Sequence, residues 1–447
     1  MNLRGEFGPM LRLGIPLALA ELGWMAAGIA DTIMAGPFGA AAVGAGSLGN
    51  MLFYPTAIAA TGLLLGMDTL VAQSFGAGNR ADCRRTLESG VWIALGLSPA
   101  VMLIALLMPP AMRAAGTNAH VLEQFGPYVR ALLWGVPPLL VYTALRRYLQ
   151  AMDIVRPITF ALISANLINI AGNWLFMYRF GMGLEGSGWA TSISRWYMCG
   201  VLIVTVLRRG DALRISWPDG ERIRKLLSLG LPAAGQIGFE GAVFGAVTVM
   251  AATLDEVTLA AHSIAVQVIA TTYMVPLGIS SAAAVRVGQA IGRGDSRGAA
   301  AAAWAAMALS GIFMGAAGLL IWLAPQLVIR GFIADAGVIG AGVVLLRIAA
   351  FFELFDGLQV TATGALRGMG DTRSPMIAHL IGYWAIGLPV AWVLCFGYGW
   401  GAPGIWVGLT AALILIGVWL VLTLLSRQSG GILVGPFAKL SAKTRSE

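Results

Sequence analysis

Residues 11–35 read LRLGIPLALAELGWMAAGIADTIMA. A bilayer core is crossed by roughly 20 mostly apolar residues in a helix, and this run exceeds that while carrying only Arg12, Glu21 and Asp31 as charged residues. It is too long for a signal-peptide core. Ala18-Leu19-Ala20 resembles a cleavage site, yet the apolar run continues through it, so a permanent first span is expected. Its opening then returns: Leu13-Gly14-Ile15-Pro16 recurs 216 residues later as Leu229-Gly230-Leu231-Pro232. At the same shift Gln73, Gly76 and Gly78 recur as Gln289, Gly292 and Gly294, and Gly181, Gly183 and Gly188 as Gly397, Gly399 and Gly404. Leu149 and Met152 recur at 217, as Leu366 and Met369. A series along one diagonal marks an internal repeat.

The rest of the chain is of the same kind. Of its 447 residues 58% are hydrophobic and 11% charged, with mean hydropathy +0.80, whereas soluble domains carry about 25% charged residues. Twelve apolar runs are expected to span, near 11–35, 47–72, 87–110, 128–152, 157–178, 186–207, 226–252, 257–286, 298–325, 341–366, 375–396 and 402–425. Pro55, Pro137, Pro138, Pro276 and Pro389 are the expected kink points, since membrane helices tolerate interior proline. Six spans per repeat return the chain to its starting side, so both halves share one orientation. The expected fold is all-α and integral to the membrane, with twelve helices in two six-helix bundles. A pseudo-twofold axis along the membrane normal relates them, as in secondary transporters with parallel repeats. The expected divisions are an N-terminal lobe 1–210, a linker 211–225, a C-terminal lobe 226–426 and a tail 427–447.

The net charge of +8 does not indicate nucleic acid, because the basic residues cluster in alternate gaps between spans. Arg80, Arg84 and Arg85, then Arg146, Arg147 and Arg156, then the 208–225 gap, then Arg286, Arg293 and Arg297, then Arg367 and Arg373 lie on one side. The other side keeps Arg113, Arg130, Arg179, Arg195, Arg330 and Arg347. By the positive-inside rule both termini should be cytoplasmic, in a cell (inner) membrane. None of the lysines, Lys225, Lys439 and Lys443, follows glycine, so no phosphate-binding loop of the Gly-Lys-Ser/Thr type exists. His120, His262 and His379 are scattered, and Cys83, Cys199 and Cys395 form neither a metal pattern nor a disulfide framework. No catalytic constellation is present, so a membrane-embedded enzyme is disfavoured.

Charges inside spans cost about 2.5–3.5 kcal/mol each on insertion scales and default to a functional reading. Asp31 lies in the first span, Glu240 in the seventh and Asp356 in the tenth. The repeat does not relate them, since a shift of 216 takes Asp31 to Val247 and Glu240 back to Trp24. An acid removed from water more readily takes a proton, and when ionised it can bind sodium or an organic cation. Glu21, Asp68 and Glu353 read as structural, with Glu353 expected to pair with Arg347. Asn166, Asn169, Asn173, Ser187 and Thr191 add oxygen-bearing groups of the kind hard cations prefer. Met25 and Trp174 are among the apolar residues suited to an adaptable cavity wall.

Four motifs in order carry a family resemblance: Ala30-Asp31-Thr32-Ile33-Met34-Ala35-Gly36, TLVAQSFGAGN at 69–79, AAHSIAVQ at 260–267 and GALRGMGDTRSP at 364–375. From about Leu11 to Leu425 the chain resembles multidrug and toxic compound extrusion (MATE) transporters, most closely the NorM-type branch. The resemblance implies a V-shaped pair of lobes that exports organic cations and amphipathic drugs in exchange for protons or sodium. It implies cation coupling at Asp31, Asn169, Asn173, Thr191, Glu240 and Asp356. Substrate would bind at Glu240 and Asp356, and sodium, if used, at Asp31 with Asn173 or at Glu240 with Asp356. Some relatives have Asp where this chain has Asn173. The expected partners are small-molecule drugs, organic cations and the lipid bilayer. Neither a cofactor nor nucleic acid is expected, and the protein is expected to act as a monomer. A lipid-linked sugar flippase of the same superfamily is the alternative, weakened by the acidic cavity the residues imply.

Overall fold

The ends of the helices show the repeat most directly, because the capping side chains recur with it. The structure is a computed structural model that describes residues 3–210 and 217–429. Residues 211–216 of the expected linker and 430–447 of the expected tail, with Arg214, Lys439, Lys443 and Arg445, lie outside the described residues. Asn79 accepts from the Asp82 N–H and opens α5 (Arg80–Ala114), and Asp295 does the same at Gly298 to open α12 (Ser296–Leu323). Asn118 caps α6 (Ala119–Leu133) and Asp335 caps α14 (Ala336–Met369). Each satisfies an N–H that the first helical turn cannot pair internally.

Among the described residues eleven helices are long and apolar enough to cross a membrane, and a bent pair supplies a twelfth. Helix α1 (Leu3–Ala35) is matched by α10 (Gly220–Ala252). The second span, α2 (Ala40–Leu48), α3 (Tyr54–Leu63) and α4 (Gly66–Gly76), is matched by the unbroken α11 (Glu256–Gly292). Helix α11 is continuous through Pro276. The α6–α7 pair (α7, Val136–Ala151) bends by 46° where Pro137 and Pro138 start α7, while α14 is unbroken at the matching position. Carbonyls freed at that bend are taken up by α9 (Leu184–Arg208): Ser192 Oγ donates to Ala131 O at 2.6 Å and Trp196 Nε1 to Trp134 O at 3.0 Å.

The repeat is not constant at 216. After α13 (Pro325–Arg330) the second half has one extra loop residue, which makes the shift 217 from Asn118 and Asp335 onward. A second extra residue enters at the π-helical stretch Leu380–Gly387, between α15 (Arg373–His379) and α16 (Leu388–Trp392). Its counterpart α8 (Arg156–Asn173) is α-helical throughout, and a π segment accommodates such an insertion. Gly183, with φ +57° before α9, thus matches Gly401, with φ +62° before α17 (Ala402–Ser429). The pairing of Gly183 with Gly399 read from the sequence is two residues off.

Two compact units result, one of Leu19–Ala234, the other of the chain up to Ala18 together with Gly235 onward. The first half of α1 thus packs with the second repeat, and the first half of α10 with the first. Bare glycine surfaces allow it: a Cβ on Gly278 would overlap the Ala18 backbone, and one on Gly62 would lie 2.9 Å from Ala234 Cα. These contacts are the same contact at a shift of 216. Ion pairs hold both exchanged segments, Glu6 with Arg286 at 2.9 Å and Arg222 with Asp82.

Candidate functional site

In the unit Leu19–Ala234, α8 presents Asn166, Asn169 and Asn173 along one face at helical spacing. Asn166 Nδ2 donates to Gly23 O at 2.8 Å and docks α8 on α1. Two turns farther, Asn173 Nδ2 donates to Asp31 Oδ1 at 2.6 Å and to Asn169 Oδ1 at 3.3 Å. Asn169 donates to Thr191 Oγ1 at 3.2 Å, and Thr191 donates to Asp31 Oδ2 at 3.4 Å. Asn169, Asn173 and Thr191 are buried. The structure therefore brings Asp31, Asn169, Asn173 and Thr191 into one hydrogen-bonded group. Its donors hold a carboxylate, and Asn173 Oδ1 is buried with no partner.

Asp31 stands between two spaces. On one side a cavity of about 220 Å³ is walled by Trp24, Met25, Tyr54, Asn166, Met198 and Arg195. On the other a space of about 20 Å³, bounded by Thr32, Ser47, Tyr128 and Ser187, is on the scale of a single water. Arg195 was read from the sequence as a residue of the less basic side. The structure puts it near the middle of α9 and 2% exposed. Its guanidinium lies 5.7 Å from the Phe53 ring centroid and 6.0 Å from that of Tyr54.

The other unit holds the remaining acids. Glu240 on α10 and Asp356 on α14 are near enough for their charges to interact. Gln359 donates to Asp356 at 3.0 Å, and Thr272 on α11 donates to Glu353 at 2.8 Å. The expected Glu353–Arg347 pair does not form, because Arg347 lies over the Trp322 ring at 5.9 Å. Glu353 joins the acid cluster instead, one turn before Asp356. His379 Nδ1 donates to Pro375 O at 2.7 Å, which leaves Nε2 facing Glu240 at 3.8 Å. Asp31 and the Glu240–Asp356 pair belong to different units.

Sequence reading missed Arg195, Glu353, Gln359 and His379. Only Arg195 gave a signal, since it sits deep within the apolar run 186–207. Two other acids are structural: Glu21 pairs with Arg146, and Asp68 with Arg147 at 3.2 Å. His262 is buried between Thr248 at 3.0 Å and Trp406 Nε1 at 3.2 Å. Cys83, Cys199 and Cys395 are buried and unbridged.

The MatE family matches residues 16–175 and again 232–393. The chain belongs to the MatE family. The two matches begin 216 residues apart and end 218 apart, the same drift that the caps and glycines show. This MatE protein is 36% identical to a probable multidrug resistance protein NorM of Mesorhizobium japonicum, over 95% of each chain. It is 34% identical to one of Deinococcus radiodurans, over 96% of this chain and 98% of that one. Its fold matches the eukaryotic MATE transporter AtDTX14 at TM-score 0.88 and 20% identity, over 95% and 96% of the chains. An outward-facing multidrug resistance MATE transporter of the MOP superfamily matches equally, at TM-score 0.88 and 20% identity over 96% and 97%. The MatE chain is thus a NorM-type, multi-pass membrane protein of the MATE fold.

Proposed function

We propose that this protein is a secondary active exporter that moves amphipathic and cationic compounds out of the cell against an inward flow of protons or sodium. One observation carries the reading: a membrane acid, Asp31, is held by Asn173 and Thr191 in the wall of a cavity of about 220 Å³. The names of the NorM relatives, which describe multidrug resistance proteins, support the class of cargo.

Asp31 is the coupling group in this reading, with Asn169, Asn173 and Thr191 as its supports. A ligand shifts a two-state equilibrium only through its difference in affinity for the two states. A cation that neutralises Asp31 removes a buried negative charge and lets the end of α1 repack about Gly28, which narrows the cavity and favours release. For a net-neutral compound one proton entering across 100 mV contributes about 2.3 kcal/mol, whereas one-for-one exchange with a monovalent cation moves no net charge and is driven by the ion gradient alone. The proton is favoured over sodium, because Asn173 supplies no second carboxylate for a metal ion. Glu240 and Asp356 are assigned to cation and substrate binding in the other unit. Both termini are assigned to the cytoplasmic side of the inner membrane.

The test is drug accumulation in intact cells that express the protein, with the proton or sodium gradient collapsed separately by ionophores. Accumulation that falls on expression and recovers when the proton gradient is collapsed supports the reading. Accumulation unaffected by expression contradicts it.

A further inference from the structure

We infer that each unit binds a file of water in its interior, along Tyr142, Arg146 and Gln150 on α7 and along Gln359, Thr363 and Arg367 on α14, and that the coupling proton leaves the acid sites for the cytoplasm by these files. The inference rests on the export reading above and adds the route its proton takes.

The three α7 residues are spaced by four and so stack on one helix face. All three are buried, Gln150 completely. The Tyr142 hydroxyl, Arg146 Nε and both polar atoms of the Gln150 amide have no hydrogen-bond partner among the described residues. Glu21 pairs with the other end of the Arg146 guanidinium, which fixes Nε in place and offsets the charge. The column recurs at the shift of 217, where Tyr142, Arg146 and Gln150 correspond to Gln359, Thr363 and Arg367. These are buried too, and Gln359 Oε1 and Thr363 Oγ1 lack a partner among the described residues. The residue type changes in every pair, yet all six positions stay polar. The acids of the two units do not correspond, so the column is kept for itself.

Buried polar atoms in proteins are paired with protein or with ordered water, and an internal water makes about three hydrogen bonds. Side chains one helical turn apart have Cβ atoms about 5–6 Å apart, so successive polar groups are within reach of one bridging water. At 1.5 Å per residue each column covers about 12 Å. On α14 it starts at an acid, since Gln359 donates to Asp356 at 3.0 Å, and it ends with Arg367 in the last turn, at the connection assigned to the cytoplasm. On α7 it passes Glu21, one turn before Trp24 and Met25 in the wall of the Asp31 cavity, and ends with Gln150 in the last turn. Each water in such a file accepts one proton and gives up another. The net change is one O–H bond lost at the acid and one formed on a cytoplasmic water.

X-ray radiolysis of the purified protein in lipid nanodiscs turns bound water into hydroxyl radicals, which mark the side chains beside it and are read by mass spectrometry. Tyr142 should be labelled although buried, while Tyr148, equally buried on another face of α7, should not. Gln150→Leu should lose the Tyr142 label. In proteoliposomes under an imposed pH gradient, Gln150→Leu and Thr363→Val should each export ethidium, an organic cation, about tenfold more slowly than wild type. Equilibrium binding of ethidium should be unchanged in both, whereas a folding defect lowers binding as well. Tyr142 labelled no more than Tyr148 overturns the inference, and so do wild-type export rates in both variants. Wild-type protein that moves no ethidium under any ion gradient contradicts the export reading and, with it, the proton route.

Discussion

Asn173 donates its amide to Asp31 at 2.6 Å and keeps its own carbonyl oxygen buried without a partner. In this orientation Asn173 supports a carboxylate. Asn173→Asp reverses this by placing a second acid against Asp31. Two carboxyls at that distance titrate as a pair and either share a proton or hold a cation between them. The variant is expected to gain export driven by a sodium gradient, measured in proteoliposomes with pH equal on both sides. No change in sodium response would show that position 173 does not select the ion.

The exchanged halves of α1 and α10 depend on glycine. A side chain on Gly278 meets the Ala18 backbone, which cannot move aside like a rotamer. Gly278→Val should destabilise the purified protein by about 1–3 kcal/mol, as overpacking does. Gly245→Ala, into open space, should leave thermal unfolding in detergent nearly unchanged. Equal unfolding temperatures for the two variants would contradict the close-approach account.

How much of this was legible beforehand differs between fold and site. Span number and the repeat follow from periodicities that local chemistry enforces, so Leu13–Pro16 and Leu229–Pro232 sufficed to align the halves. The drift to 218 was not legible, because a π-helical insertion at Leu380–Gly387 keeps the same apolar composition as an α-helix. Asp31 stood out as a charge in an apolar run, and Asn169, Asn173 and Thr191 as polar groups on facing spans. Arg195 was misread because arginines also mark orientation, and only the packing of α9 on the α6–α7 bend puts it inside. His379 depends on a contact between α10 and α15 that no local pattern encodes.

The acids of the other unit are expected to act on substrate and not on folding. Glu240→Gln and Asp356→Asn keep shape and hydrogen-bonding capacity while removing charge. Each should lower export by about tenfold or more with an unchanged elution profile in size-exclusion chromatography. Wild-type export by both variants would remove Glu240 and Asp356 from the mechanism.

The assigned orientation is open to a labelling test, since the native cysteines are buried and the exposed positions Arg80 and Asn118 lie at opposite ends of α5. Arg80→Cys should resist a membrane-impermeant maleimide in intact cells and react after lysis, while Asn118→Cys should react in both. The reverse pattern would invert the topology.

Asp31 is the proposed coupling group, and the most direct measurement of that role is gradient-driven export by Asp31→Asn in proteoliposomes. The wild-type protein should concentrate drug when a pH gradient is imposed, while Asp31→Asn should bind drug yet fail to concentrate it above the passive level. Asp31→Asn that exports at the wild-type rate under the same gradient would contradict the mechanism.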